Sequence, residues 1–179
     1  MNILTRILQI LPMAALTACT AATPVRTVSH VDIDRFMGDW YVIANIPTFN
    51  EKQANNPLEN YRKINDREIA TTFTLNKGAF DGPLKTYTPR GYISDDPSNA
   101  IWGMQFIWPI KADYRVVYLD EDYTKTVIGR NKLDYVWIMA RTPQISDADY
   151  QQILSFVAGL GYDISKIRRA PQQKQDESS

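Results

Sequence analysis

Histidine and cysteine are nearly missing from this chain of 179 residues, which holds one of each, His30 and Cys19. His30 falls ahead of the first expected strand, so a Ser-His-Asp or Cys-His arrangement, a histidine-rich metal site and a haem held by an internal histidine are all excluded. An excess of charge is missing too. Lys plus Arg and Asp plus Glu both number 20, so no field of one sign advertises nucleic acid or a polyanionic surface. There is no phosphate-cradling Gly-x-x-x-x-Gly-Lys stretch, and no surface of interleaved basic and aromatic residues. The acidic run Asp120-Glu121-Asp122 lacks the glycine and ligand spacing of a calcium loop and reads as a tight turn. No metal, no other cofactor and no catalytic group is therefore expected, and the chain reads as a binding protein rather than an enzyme.

What is present begins with the surroundings of that one cysteine. Arg6 precedes an apolar run, Ile7 to Leu16, that is too short and too weakly flanked to span a membrane. Small residues follow, which is the layout of an export signal. Leu16-Thr17-Ala18-Cys19 resembles the bacterial lipobox, in which the cysteine becomes the acylated first residue of the mature protein. That resemblance implies a signal peptide over residues 1–18 and lipidation at Cys19. Thr20 follows the cysteine where an aspartate would signal retention, which implies the periplasmic face of the outer membrane. Three acyl chains would hold the protein permanently, since two already give stable anchoring.

Residues 19–30 are small and polar and are expected to form a lipidated spacer, and residues 171–179 a loose tail. Residues 31–170 read as one domain, in which apolar residues recur mostly with period two. Expected strands are Trp40–Ile46, Asn60–Ile64, Ile69–Asn76, Lys85–Ile93, Ala100–Ile107, Tyr114–Leu119, Lys125–Arg130 and Tyr135–Arg141. Short polar turns separate them. Consecutive strands with such connections suggest an all-β, eight-stranded antiparallel up-and-down barrel, because closure removes exposed edges. From Ser146 the period becomes helical, with Tyr150, Ile153, Leu154, Val157 and Leu160 on one face. This predicts one C-terminal amphipathic α-helix packed outside the barrel, capped by Ser146 and stopped by Gly161.

Three motifs in this frame carry a family resemblance. Gly38-Asp39-Trp40 is similar to the lipocalin Gly-x-Trp signature at the start of the first strand. Asp120, Asp122 and Tyr123 stand where that family has its second motif, and Arg141 stands at its third. Order and spacing match from about Asp32 to Ile167. Within the lipocalins the chain resembles the lipoproteins of the bacterial outer membrane. The resemblance implies that Gly38, Trp40, Asp122, Tyr123 and Arg141 are structural. Strand alternation puts them at one end of the barrel, where the Arg141 guanidinium would lie on the Trp40 indole.

The same alternation places the mouth at Pro47–Glu59, Lys77–Leu84, Trp108–Asp113 and Arg130–Asp134. Lys111, Lys77 and Arg130 are the candidates to meet an anionic headgroup there, Lys111 foremost. Phe73, Tyr87, Trp102, Phe106, Trp108, Tyr114 and Trp137 are the candidates to line a cavity. Parity from Trp40 also puts Val42, Ala44 and Ile46 inside. The expected ligand is a fatty acid or lysophospholipid, bound for lipid storage or transport in maintenance of the envelope. Two other readings stay open: an interaction lipoprotein whose barrel is filled by its own side chains, and an envelope enzyme acting on a lipid or isoprenoid. A homodimer is also compatible with the sequence.

Overall fold

The structure is a computed structural model that describes residues 23–173. The expected export signal, Cys19 and the rest of residues 1–22, together with residues 174–179, lie outside the described residues. After a one-turn helix α1 (Ile33–Phe36), capped by the Asp32 carboxylate on the amides of Asp34 and Arg35, the chain forms strands in sequence. These are β1 (Gly38–Asn45), β2 (Ala54–Asn65), β3 (Glu68–Lys77), β4 (Leu84–Tyr87), β5 (Arg90–Ile93), β6 (Ile101–Ile107), β7 (Ile110–Leu119), β8 (Lys125–Gly129) and β9 (Trp137–Ala140). Helix α2 (Asp147–Gly159) and a two-residue strand β10 (Arg168–Arg169) complete the fold.

Neighbouring strands pair antiparallel in chain order, and β1 pairs with β9 to close the barrel. Eight strands make the closed wall; β4 pairs only with β3, and β10 lies on the upper end of β1. The expected strand Lys85–Ile93 is thus divided into β4 and β5. Pro89 sits at the break, where it has no amide to give the ladder and its carbonyl accepts from the Thr71 amide instead.

Two apolar clusters stabilise the barrel from inside and outside. The inner one contains Phe36, Trp40, Val42, Tyr61, Trp102 and Val116. The outer one joins Ile43, Val117, Val127 and Ile138 of the wall to Tyr150, Ile153 and Val157 of α2. As expected, α2 starts at Ser146, whose hydroxyl accepts from the Asp149 amide at 3.0 Å, and stops before Gly161 at φ +96°.

Four expectations need correction. Ala44 and Ile46 belong to the outer cluster rather than the interior, because a bulge between Val42 and Ala44 breaks the alternation of β1. Strand β2 begins at Ala54, so the first mouth loop ends at Gln53 rather than Glu59. The segment before residue 31 is not a free spacer: Val25 donates to the Asn131 side chain, Val28 to the Val116 carbonyl and Val31 to the Ser98 carbonyl. The start of the expected tail is also held. The Gln172 amide group donates to the carbonyls of Val42 and Pro57, and Gln173 pairs with Asn56.

Candidate functional site

The turns β2–β3, β5–β6 and β7–β8 gather at one end, with the start of β1 and the end of β9, and form the floor of the barrel. Gly38 opens β1 at φ +93°, and a Cβ there would lie 3.4 Å from Nη1 of Arg141. Glycine is therefore demanded by the backbone conformation rather than by space. The Arg141 guanidinium lies 3.8 Å from the Trp40 ring centroid. It also donates to three backbone carbonyls, those of Asp39 and Arg35 at 2.8 Å and that of Tyr123 at 3.2 Å. Tyr123 in turn accepts from the Asp32 amide at 2.8 Å, and its ring lies beneath the Arg35 guanidinium. Gly38, Trp40, Tyr123 and Arg141 thus meet. Asp122 does not join them; it is exposed. The turn is held by Asp120, which accepts from the amides of Thr124 and Lys125 because it stands at the start of the turn with those amides facing it.

Above the floor, aromatic side chains fill the lower barrel. The Trp102 and Tyr114 rings stack at 5.1 Å, and Phe36 and Tyr61 meet Trp102 edge-on at 5.5 and 5.9 Å. The Trp102 indole N–H donates to the Asn99 carbonyl at 2.7 Å. Trp102 is accordingly part of this plug and not of a cavity wall.

The cavity begins where the plug ends and opens at the mouth, with a volume of about 140 Å³. Five of the expected wall residues line it: Phe73, Tyr87, Phe106, Tyr114 and Trp137. Met104 and Met139 add the polarizable surface that adapts to flexible chains. Trp108 does not line it, because Trp108 and Pro109 form the whole turn between β6 and β7 and the indole projects into solvent.

The mouth sorts the three expected cations. Lys111 lies within β7 rather than in a loop, and its ammonium sits 3.7 Å from the Tyr92 ring centroid, away from the cavity. Lys77, the last residue of β3, does not line the cavity either. Arg130 does. Its backbone is clamped by the Tyr162 hydroxyl, which accepts from the Arg130 amide and donates to its carbonyl, and its Nη1 lies 3.5 Å from Asp134. Its Nε is buried without a hydrogen-bond partner. A buried donor left unpaired costs about 1–3 kcal/mol, so this group is ready for an acceptor.

Two carboxyl groups that the sequence reading did not single out also face the cavity. Glu51 accepts from the Trp137 indole N–H at 2.7 Å and from the Thr48 amide at 2.8 Å, which fixes the first mouth loop against the wall. Glu59 lies deeper and accepts a short hydrogen bond from the Tyr61 hydroxyl, whose oxygen is 2.7 Å from that of Tyr114. Burial pushes the Glu59 carboxyl up to about 7; the Tyr61 hydrogen bond opposes the shift and the Glu51 charge adds to it. Burial, with Glu59 nearby, likewise holds both tyrosine hydroxyls well above their ordinary range, so they stay protonated. The available signal was parity: Glu59 stands two residues before Tyr61 on the same face of β2. Among the described residues no group of histidine, cysteine and carboxylate side chains could hold a metal ion.

Comparison with known proteins agrees with this architecture. Residues 31–172 match the family described as a lipocalin-like domain. Temperature-induced lipocalin-1 of Arabidopsis thaliana is 31% identical over 161 residues, covering 86% of each chain. The outer membrane lipoprotein Blc of Citrobacter freundii is 31% identical over 172 residues, covering 89% of this chain and 96% of the relative. Among solved structures, insecticyanin from the tobacco hornworm Manduca sexta superimposes with a TM-score of 0.65 at 14% identity, covering 87% of both chains. A barrel closed below by Arg141 on Trp40, open above and matched along its whole length identifies this chain as a member of the lipocalin family.

Proposed function

We propose that the protein is a lipid-anchored lipocalin that binds one fatty acid or lysophospholipid, with the acyl chain in the barrel and the anionic head at Arg130. The observation that carries this is the apolar wall of Phe73, Tyr87, Met104 and Trp137 ending beneath a guanidinium Nε that has no acceptor of its own. A carboxylate or phosphate would supply one. The reverse orientation would bring that anion against Glu59 in the depth of the cavity, so the tail goes down and the head stays up.

The magnitudes allow it. Removing about 14 methylenes from water yields about 11 kcal/mol gross, at about 0.8 each. Immobilisation costs several kcal/mol and leaves an affinity around micromolar or tighter. With the lower barrel plugged, a cavity of about 140 Å³ takes part of one chain, the rest standing at the mouth, and leaves no room for a second. Acylation at Cys19 and residence at the periplasmic face of the outer membrane belong to the same reading. They are supported by the Leu16–Cys19 sequence and by the name of the Citrobacter freundii relative. Storage or movement of lipid in the envelope is the role this arrangement serves.

The test is a titration of the chain from Thr20 onward, stripped of lipid, with lysophospholipid and with free fatty acid below their aggregation concentrations. Trp137 in the wall is the reporter. A saturable change at one ligand per chain is expected, weakened several-fold by Arg130→Ala and unaffected by Lys111→Ala. A flat response in folded protein would overturn the proposal in favour of a barrel filled by its own side chains.

A further inference from the structure

The exposed apolar side chains of this protein are distributed to one end. Among the described residues Phe49, Leu84, Phe106, Ile107, Trp108 and Ile110 are the large apolar side chains at least 60% exposed, and no other exceeds the 45% of Ile164. All six lie at the mouth. Four fall within the five residues 106–110 around the β6–β7 turn, where Trp108 is 82% exposed; Phe49, at 83%, tops the loop between β1 and β2. Leu84 opens β4 at the same level. Contiguous apolar surface of this kind marks an interaction site. A tryptophan at the tip of an apolar wedge is the side chain that settles at a membrane–water boundary.

We infer that this rim is a membrane-docking surface: the β6–β7 turn dips into the headgroup and upper acyl region of a bilayer and turns the cavity mouth toward it. The occupant is a lipid surface rather than a second protein because of where the chain begins. Val25 is hydrogen-bonded to Asn131 at the mouth, Val28 to Val116 halfway down β7, and Val31 to Ser98 at the floor. The N-terminal segment therefore descends from mouth to floor, and its start is level with the rim. Three residues separate Cys19 from Thr23, four residue-to-residue steps that reach at most about 14 Å at full extension. An acyl anchor at Cys19 would place the bilayer over the rim and not under the floor. Exposed cations stand beside the apolar wedge, Lys52, Lys77, Lys85 and Lys111, where they would meet anionic headgroups.

The anchor argument rests on the acylation reading, but the rim itself does not, and the experiment separates them. The closed barrel and both apolar clusters lie within residues 23–173, so the chain from Thr20 onward retains every described contact without the anchor. It is mixed with vesicles of phosphatidylethanolamine and phosphatidylglycerol, and sedimentation with the vesicles is measured. In parallel, acyl-chain-brominated lipid is used to quench emission, and the Trp108 component is taken as the difference from a Trp108→Phe variant.

The expected result is reversible binding with quenching of Trp108. Binding should fall by about ten-fold or more in the triple variant Ile107→Ser, Trp108→Ser, Ile110→Ser, with the melting temperature unchanged. Phe106 is left in place because it also lines the cavity. Ile64→Ser, at the opposite end, should bind as the unaltered chain does. Absence of vesicle binding, or equal binding by the triple variant, overturns the proposal while leaving the lysophospholipid titration as a separate result. A dimer that the triple substitution dissociates, without effect on vesicle binding, would assign the rim to a second copy of the chain and equally overturn it.

Discussion

The guanidinium of Arg141 lies face-on to the indole of Trp40 and reaches past it to the backbone of three separate segments, at Arg35, Asp39 and Tyr123. One side chain thus fastens the helical turn before β1, β1 itself and the turn before β8. Arg141→Ala is expected to lower stability by about 2–4 kcal/mol, since it removes a cation–π contact and leaves three carbonyls without their donor. Arg141→Lys should recover less than half of that, because an ammonium cannot serve three carbonyls and the ring face together. Chemical denaturation of the three proteins checks both statements. A loss within 0.5 kcal/mol, about the effect of an ordinary surface change, would show that the floor is held by packing alone.

Glu59 makes the stability of the barrel depend on pH near neutrality. Its carboxyl ionises at about 7 in the folded chain against an ordinary value of 4.5, so the folded state favours the protonated form. The contribution is complete below about pH 4.5 and is lost as pH rises through 7, by about 3 kcal/mol at the upper end. The melting temperature should therefore fall between about pH 5 and pH 7 and level off above that, and Glu59→Gln should flatten the fall. Binding of a zwitterionic lysophospholipid, which removes the remaining water around Glu59, should weaken as pH rises above about 7 in the unaltered chain and not in the variant.

The turn between β7 and β8 offers a paired test. Asp120 receives the amides of Thr124 and Lys125 at 2.6 and 2.9 Å, whereas Asp122 is exposed. Asp120→Ala should cost about 1–3 kcal/mol and Asp122→Ala no more than about 0.5. The opposite order, measured by denaturation, would restore Asp122 as the structural carboxylate of the motif.

The residues that sequence reasoning located correctly are those whose position follows from alternation alone. Each strand reverses direction, so Gly38, Tyr123 and Arg141 had to reach the same end, and a period of two put Phe73, Phe106 and Trp137 inside. Alternation says which face a residue is on and not how high it stands. Trp102 shares its face of β6 with Met104 and Phe106, yet its place near the floor makes it part of the plug. Bulges are equally silent: one extra residue after Val42 moved Ala44 from the inner cluster to the outer. Lys111 was misplaced by a turn boundary, because two residues suffice to connect β6 to β7 and the following ones already pair. Glu59 was overlooked for a chemical reason, since a carboxyl group in a barrel wall is unexpected until the tyrosines that receive it are seen beside it.

Both described ends of the chain come to the open end of the barrel, Val25 at Asn131 and Gln173 at Asn56. A handle, fluorophore or surface linkage joined directly at Val25 or Gln173 would start beside the opening and compete with whatever enters it. The turn at Asp66 and Arg67, at the closed end and exposed, is the place to attach a probe without obstructing traffic. Immobilised through that turn the protein would present its opening outward; immobilised at Val25 or Gln173 it would present its base.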